Sequence, residues 1–240
     1  MKRVTLALLL ASLPATTVLA DEIDNVVSLN QPQFRQVSED LGAALSYKAI
    51  LPAETLGIAG FDIGVAVSAT KVHNTGAWDQ ANSGSTSSTI IVPKVFVHKG
   101  LPLGIDVGAF YSSVPDSNVS LWGAELRYAL VEGGVATPAV GVRGTYSELK
   151  GVDQLQLENR GLELTISKGF ANVTPYAGIG RIWTTSTPAG TAASALSEED
   201  FAQGKYYVGA NFNLAILNIA VEGDKTGDTT TYGAKFGWRF

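Results

Sequence analysis

The chain has no cysteine, which excludes disulfide staples, thiolate nucleophiles and cysteine metal ligands. Only two histidines occur in 240 residues, too few and too far apart to suggest a metal centre, and no cofactor is expected. Basic residues number 17 against 22 acidic ones, so the cationic footprint that nucleic acid demands is missing. Beyond the first twenty residues no run of about 18 apolar residues exists that could cross a bilayer as a helix. An inner-membrane helical protein is thereby excluded.

What is present begins with a leader. Lys2 and Arg3 precede the apolar run 4–13, and Val18-Leu19-Ala20 gives a small-x-small cleavage site, so residues 1–20 are expected to be a secretory signal peptide and the mature chain to start at Asp21. No lipidation cysteine follows that site, so a lipoprotein is not expected. Loss of Lys2 and Arg3 would leave 15 basic against 22 acidic residues, a net charge of about −7. The expected division is 1–20 signal peptide, 21–57 an N-terminal segment, and 58–240 a single β-domain.

The 45% apolar residues and 26 glycines are spread through short alternating segments rather than blocks. Period-two alternation marks ten candidate strands, with outward sets such as Phe61-Ile63-Val65-Val67-Ala69, Ile105-Val107-Ala109-Tyr111, Trp122-Ala124-Leu126-Tyr128-Leu130 and Tyr206-Val208-Ala210-Phe212-Leu214. In the seventh, near 176–183, Pro175-Ala177-Ile179 and Tyr176-Gly178-Gly180-Ile182 compete for the outer face. Eight or twelve strands remain open as alternative counts. A soluble β-sandwich is the competing fold, although Trp122, Leu126, Tyr128 and Leu130 would then need a second sheet to cover them.

The last eleven residues, Thr230-Thr231-Tyr232-Gly233-Ala234-Lys235-Phe236-Gly237-Trp238-Arg239-Phe240, put Tyr, Ala, Phe, Trp and Phe on one face and Thr, Gly, Lys, Gly and Arg on the other. This ending resembles the C-terminal strand of Gram-negative outer-membrane β-barrel proteins, where a terminal Phe behind alternating aromatics is read by the barrel-assembly machinery. The resemblance implies a transmembrane β-barrel in the bacterial outer membrane, with outer-membrane lipid and that machinery as partners; with the ten alternating segments, the expected fold is an all-β, ten-stranded antiparallel up-and-down barrel. Such a barrel is apolar outward and polar inward, has an even strand number and keeps both termini in the periplasm.

Parity then argues against an eleventh strand at 41–47. Phe34, Val37, Leu41, Ala44 and Leu45 instead fall on one stripe of a helix, with Asn30 as N-cap and Pro32 in the first turn. A short amphipathic helix over about 30–45 is expected. It could plug the lumen, lie on the periplasmic membrane surface or pack beneath the barrel. With the C-terminus in the periplasm, 72–89 and 184–204 become the two long extracellular loops, rich in Ser, Thr, Gly, Ala and Asn, and 114–118 a short outside turn.

Trp and Tyr prefer membrane–water interfaces. Under this topology Tyr111, Trp122, Tyr146, Trp183, Tyr206 and Tyr232 form an outer aromatic girdle, while Phe61, Trp238 and Phe240 mark inner strand ends. The inward positions carry a balanced charge set: Asp62, Asp106, Glu125, Glu163, Glu222 and Asp224 against Lys94, Arg127, Arg143, Lys205, Lys235 and Arg239. Ten strands lie near the size at which side chains fill a barrel, so these charges should pair or be wetted. Inner-face glycines, among them Gly108, Gly123, Gly161 and Gly209, either make room for those side chains or open a narrow conduit.

Catalytic signals are weak. His73 with Asp79 and Ser83 resembles the surface His and carboxylate of omptin proteases, but the paired acidic residues that family uses on separate strands have no counterpart in spacing. His98 falls at the periplasmic end of its strand. Gly178-Ile179-Gly180-Arg181 lacks the third glycine and following helix of a dinucleotide loop, and Asp224-Lys225-Thr226-Gly227-Asp228 reads as a turn. The expectation is a non-enzymatic outer-membrane barrel that passes a small polar solute through a narrow gated lumen or serves as an envelope component. Surface adhesion through the long loops is the alternative, and an outer-membrane hydrolase centred on His73 is a third reading.

Overall fold

Ten strands pair in sequence, and the first pairs with the last. They are β1 (Phe61–Lys71), β2 (Thr89–Leu101), β3 (Ile105–Ser113), β4 (Ser120–Val131), β5 (Ala139–Lys150), β6 (Leu155–Ser167), β7 (Val173–Pro188), β8 (Glu199–Leu214), β9 (Leu217–Thr226) and β10 (Thr229–Arg239). All pairs are antiparallel, so the sheet is a closed up-and-down barrel with no free edge. In this computed structural model the described residues are 25–82, 88–113 and 118–240. The expected signal peptide, Ser83 and most of the 114–118 turn lie outside them.

Closure is local chemistry at the chain's end. β1 and β10 pair from Asp62↔Arg239 to Lys71↔Thr230, and Phe61 and Phe240 exchange backbone hydrogen bonds of 2.6 and 3.0 Å. The rim holding these two residues is here called basal, the opposite one apical. Alternation fixes the facing: Ile63, Val65, Leu126, Leu162, Val208 and Phe236 are exposed on the outer surface, whereas Asp62, Arg127, Glu163 and Lys235 between them are buried inside. One register slip would invert every such position. In β7 the competition resolves with Pro175, Ala177, Ile179, Arg181 and Trp183 outward and Tyr176, Gly178 and Ile182 inward. Tyr176 lies over Gly209 and Tyr207 over Gly178, where a Cβ would strike each ring.

The helix expected at 30–45 is α1, Gln31–Leu45. Asn30 accepts from the Gln33 backbone N–H and the Gln33 side chain returns to the Asn30 N–H, a reciprocal cap, with Pro32 in the first turn. Of its three possible positions, the structure shows the lumen. Phe34, Val37, Leu41, Ala44 and Leu45 are all at most 2% exposed and join the inward side chains Ile90, Val92, Leu149, Leu155 and Leu157 in one apolar cluster. Burying each large member contributes roughly 1.5–3 kcal/mol. Gly42 presses on Thr184 of β7, an approach that a Cβ would block.

Three expectations change. The N-terminal segment enters at the apical mouth, since Gln31 exchanges hydrogen bonds with Ser197 of 2.9 and 3.0 Å and Val27 donates to Gln154, and it then descends to Phe61 at the basal rim. The first described residues therefore lie opposite the C-terminus, although the two closing strands share a rim as parity requires. Second, 184–204 is not one long loop: β7 runs to Pro188 and β8 begins at Glu199, because Thr184, Thr185 and Thr187 are good strand formers. Third, 224–228 is mostly strand; only Gly227 and Asp228 make the turn, with Gly227 at φ 58° and Asp224 inside.

The 72–89 connection also differs from a loose loop. Its helix α2 (Thr75–Ala81) is tied to α1 through Asp40, which is 1% exposed and accepts from the backbone N–H groups of His73 and Asn74, from Trp78 Nε1 at 3.0 Å and from Thr229 Oγ1 at 3.1 Å.

Candidate functional site: the closed lumen

Below Leu45 the plug leaves the helix and runs as an irregular strand of chain over 46–60, its backbone polar groups unpaired by secondary structure. The barrel wall supplies the partners. Lys205 Nζ donates to the Tyr47 carbonyl at 3.1 Å, Lys94 Nζ to the Lys48 carbonyl at 3.1 Å and Arg127 Nη1 to the Pro52 carbonyl at 2.7 Å. Ser167 accepts from the Ala53 N–H, and Asp106 from the Leu56 N–H. Wall charges therefore satisfy the plug's main chain as well as each other.

Ion contacts join the wall charges in two places. In the middle of the lumen Glu163 meets Lys205 at 2.8 Å and Arg143 at 2.7 Å, and Arg143 also approaches Glu125 at 3.5 Å. Glu222 accepts from Tyr176 Oη at 2.9 Å, and the Tyr207 hydroxyl accepts from Arg143 at 3.0 Å. Toward the basal rim Asp62 meets Lys235 at 2.6 Å and Arg239 at 3.3 Å, while Arg127 holds Asp106 through both Nε and Nη2.

The six acidic and six basic side chains of the wall balance, and the plug adds an ion contact of its own. Lys48, 3% exposed, bridges both oxygens of Asp224 at 3.0 and 3.1 Å. Since an unpaired buried ion costs several kcal/mol, this pairing binds the plug in one register.

The twelve charged positions assigned inward, Asp62, Lys94, Asp106, Glu125, Arg127, Arg143, Glu163, Lys205, Glu222, Asp224, Lys235 and Arg239, lie on the lumen side of the wall. The plug's own contributors Tyr47 and Lys48 were not foreseen, nor were His98 and the inward tyrosines. His98 is buried beside Glu125 at 3.4 Å and the Tyr47 hydroxyl at 3.2 Å, so it is a lumen group. A further departure is the apical half of the lumen, where α1 lies against a mixed wall: Ile90, Val92, Leu149, Leu155 and Leu157 are apolar, whereas Ser68, Thr70, Thr184, Ser186, Thr229 and Thr231 are small and polar.

At the apical mouth Arg35 on α1 bridges Glu39 at 2.7 Å and Glu199 at 3.0 Å. Partial burial alone would lower the Arg35 pKa, but the hydrogen bonds and negative charge of those carboxylates outweigh it and hold the guanidinium above its ordinary range. Beside it, Gln36, Glu39, Asp40, His73, Asn74, Gln203 and Asp228 line an open cleft of 370 Å³. His73 thus keeps company with Glu39, Asp40 and Asp228 in this cleft.

The aromatic positions occupy the outer surface in two bands. Tyr111, Trp183, Tyr206 and Tyr232 are exposed toward the apical side, Trp122 and Tyr146 meet there with tilted rings 5.4 Å apart between centroids, and Trp238 and Phe240 lie at the basal rim with Phe61, 5.8 Å from Phe240. Above the apical band β5 to β8 continue with polar outward residues, Glu148, Glu158, Thr185, Thr187 and Asp200.

No protein-family model matches the chain, and no curated protein matches it by sequence. Among solved structures it is similar to the N-terminal β-barrel domain of Pseudomonas aeruginosa OprF, with a TM-score of 0.39 and 12% identity over 74% of this chain and 97% of that one. It is also similar to the KdgM porin in complex with disordered oligogalacturonate, at 0.37 and 10% over 76% and 99%, and to the attachment invasion locus protein Ail of Yersinia pestis, at 0.30 and 14% over 75% and 97%. At such scores these likenesses add nothing to the strand pairing, which closes the barrel by itself.

Proposed function

We propose that the chain is a non-enzymatic β-barrel of the bacterial outer membrane, closed at rest by its own N-terminal segment, and that a small polar solute passes when the lower plug is displaced. The membrane assignment is supported by the outward apolar surface between two aromatic bands and by the ionic interior. On this reading the apical rim is extracellular, the basal rim periplasmic, and the aromatic C-terminal strand is the segment offered to the barrel-assembly machinery.

The observation that carries the gated lumen is the ionic contact between plug and wall. A barrel needing only to be filled would be served as well or better by apolar side chains, because buried ion pairs rarely stabilise more than hydrophobic packing of the same volume. A charged lining is instead suited to alternate occupants, plug in one state and water with solute in the other.

Planar-bilayer recording tests this. The full chain should be silent, and a variant lacking 25–57 should give channel events while remaining a heat-modifiable barrel on gels. A folded deletion variant that conducts no more than the bare bilayer would remove the transport function and leave an envelope component. The apical cleft favours a second reading, capture of a surface ligand by Glu39, His73 and Asp228; joint replacement of these three should then abolish adhesion of cells bearing the protein while leaving its surface level unchanged.

A further inference from the structure

Most lipid-facing positions of the strands are apolar, yet a group of cations sits on that face within the apical aromatic band. Register places Arg160 on β6 opposite Trp183 of β7 and Tyr146 of β5, and Lys225 on β9 opposite Tyr206 of β8. Arg181 on β7 stands two residues from Trp183 and opposite Gly204, a position without a side chain to cover it. Arg160 and Arg181 are exposed and Lys225 is half-buried.

Their ionic surroundings are one-sided. Arg160 has a single acidic neighbour, Glu158, at 3.7 Å, while Arg181 and Lys225 have no carboxylate partner among the described residues. Outward lysines near the basal side contrast with this: Lys99 donates to the carbonyls of Ile58 and Gly60 and covers the Phe61 ring, and Lys168 donates to the carbonyls of Gly134, Val135 and Thr137. These basal cations are satisfied by the protein's own backbone; of the apical three, Arg160 has only its long contact to Glu158, and Arg181 and Lys225 are left for something outside the protein.

We propose that Arg160, Arg181 and Lys225, with Trp183 and Tyr206 between them, form a binding site for the phosphorylated headgroup of a lipid in the outer leaflet. The proposal rests on the membrane assignment above. A guanidinium on a lipid-facing strand extends toward the interface to stay hydrated, which brings Arg160 and Arg181 to headgroup level. A planar guanidinium meets phosphate oxygens in a bidentate fork, an ammonium adds a point charge, and indole N–H and phenol O–H groups at the interface supply neutral donors. The sector's excess of positive charge selects an anionic headgroup over a zwitterionic one.

The test uses the full chain refolded into phosphatidylcholine vesicles, with folding confirmed by heat-modifiability. A bisphosphorylated glucosamine glycolipid, its dephosphorylated counterpart, or inorganic phosphate in solution is then added, and retention of the glycolipid is read by native mass spectrometry after detergent extraction. The expected result is selective retention of the phosphorylated glycolipid, weakened about tenfold in R181Q/K225Q, where each exposed charge contact is worth up to roughly one kcal/mol, and kept in the charge-conserving R181K/K225R. Equal retention of the dephosphorylated lipid, full competition by inorganic phosphate at matched concentration, or undiminished retention in R181Q/K225Q would each overturn the proposal. Failure of the wild-type chain to enter vesicles would instead refute the membrane assignment itself.

Discussion

Replacing Lys48 by Met removes the plug's one cation from the middle of the lumen and leaves its apolar stem in place. Lys48 and Asp224 are 3% and 4% exposed, and the ammonium is 3.0 Å from the nearer carboxylate oxygen. Losing one partner of a buried pair typically costs about 3–5 kcal/mol, since the remaining ion is left uncompensated. Two features place this case near the lower figure: Thr226 Oγ1 still donates to Asp224 at 3.0 Å, and Lys205 lies near enough to act on the same carboxylate. We therefore expect Lys48→Met to destabilise the folded barrel by about 3 kcal/mol, read as a shift of the urea unfolding midpoint in vesicles at unchanged slope. The companion Lys48→Met/Asp224→Asn should recover more than half of that loss, because no net charge then remains buried. A cost under about 1 kcal/mol for the single variant, the range of solvated ion pairs, would mean that Asp224 stays hydrated without Lys48 and that the plug is not locked by charge.

Other outcomes follow from the same contacts. Asp40→Ala leaves the His73 and Asn74 N–H groups and the Trp78 indole without their acceptor; at about 1–3 kcal/mol for an abandoned buried donor, α2 should detach and residues 72–82 become sensitive to protease added outside intact cells. Asn30→Ala removes the reciprocal cap of α1 and should cost about 1 kcal/mol in the same urea assay, with Asn30→Asp close to neutral. Gly178→Ala drives a methyl group into the Tyr207 ring and should lower the thermal midpoint, whereas Gly204→Ala, which meets nothing within 4 Å, should leave it unchanged.

The wall of this protein could be read from its sequence because a barrel strand with an apolar outer face and a polar, protein-filled inner face must alternate at every step. Phe236, Trp238 and Phe240 against Lys235 and Arg239 leave no ambiguity about facing. Where both faces hold small or mixed residues, as in Tyr176-Ala177-Gly178-Ile179-Gly180-Arg181, alternation is silent, and the inward turn of Tyr176 is decided by the room that Gly209 provides. Helix α1 announced itself through Asn30, Pro32 and its apolar stripe, all local signals.

Its location was not a local matter. Nothing in a stripe of Phe34, Val37 and Leu41 names the surface it covers; the partners Leu149, Leu155 and Leu157 lie more than a hundred residues away, on inward positions whose apolar character only makes sense once a helix is there. For the same reason the wall charges were visible but their counterparts were not. Lys48 sits in an irregular segment with no period to mark which side chains turn inward, so its pairing with Asp224 appears only after the barrel closes around it.

Because the chain has no cysteine, a single introduced thiol reports its own side of the membrane. Ser28 is exposed at the apical mouth and Ile58 is 68% exposed at the basal rim. With a membrane-impermeant maleimide added to intact cells, Ser28→Cys should label fully and Ile58→Cys only after the outer membrane is permeabilised, as a plug threaded from the cell surface down to the periplasm requires. Labelling of Ile58→Cys but not Ser28→Cys from outside would invert the topology, and labelling of both in a soluble periplasmic extract would remove the barrel from the membrane altogether.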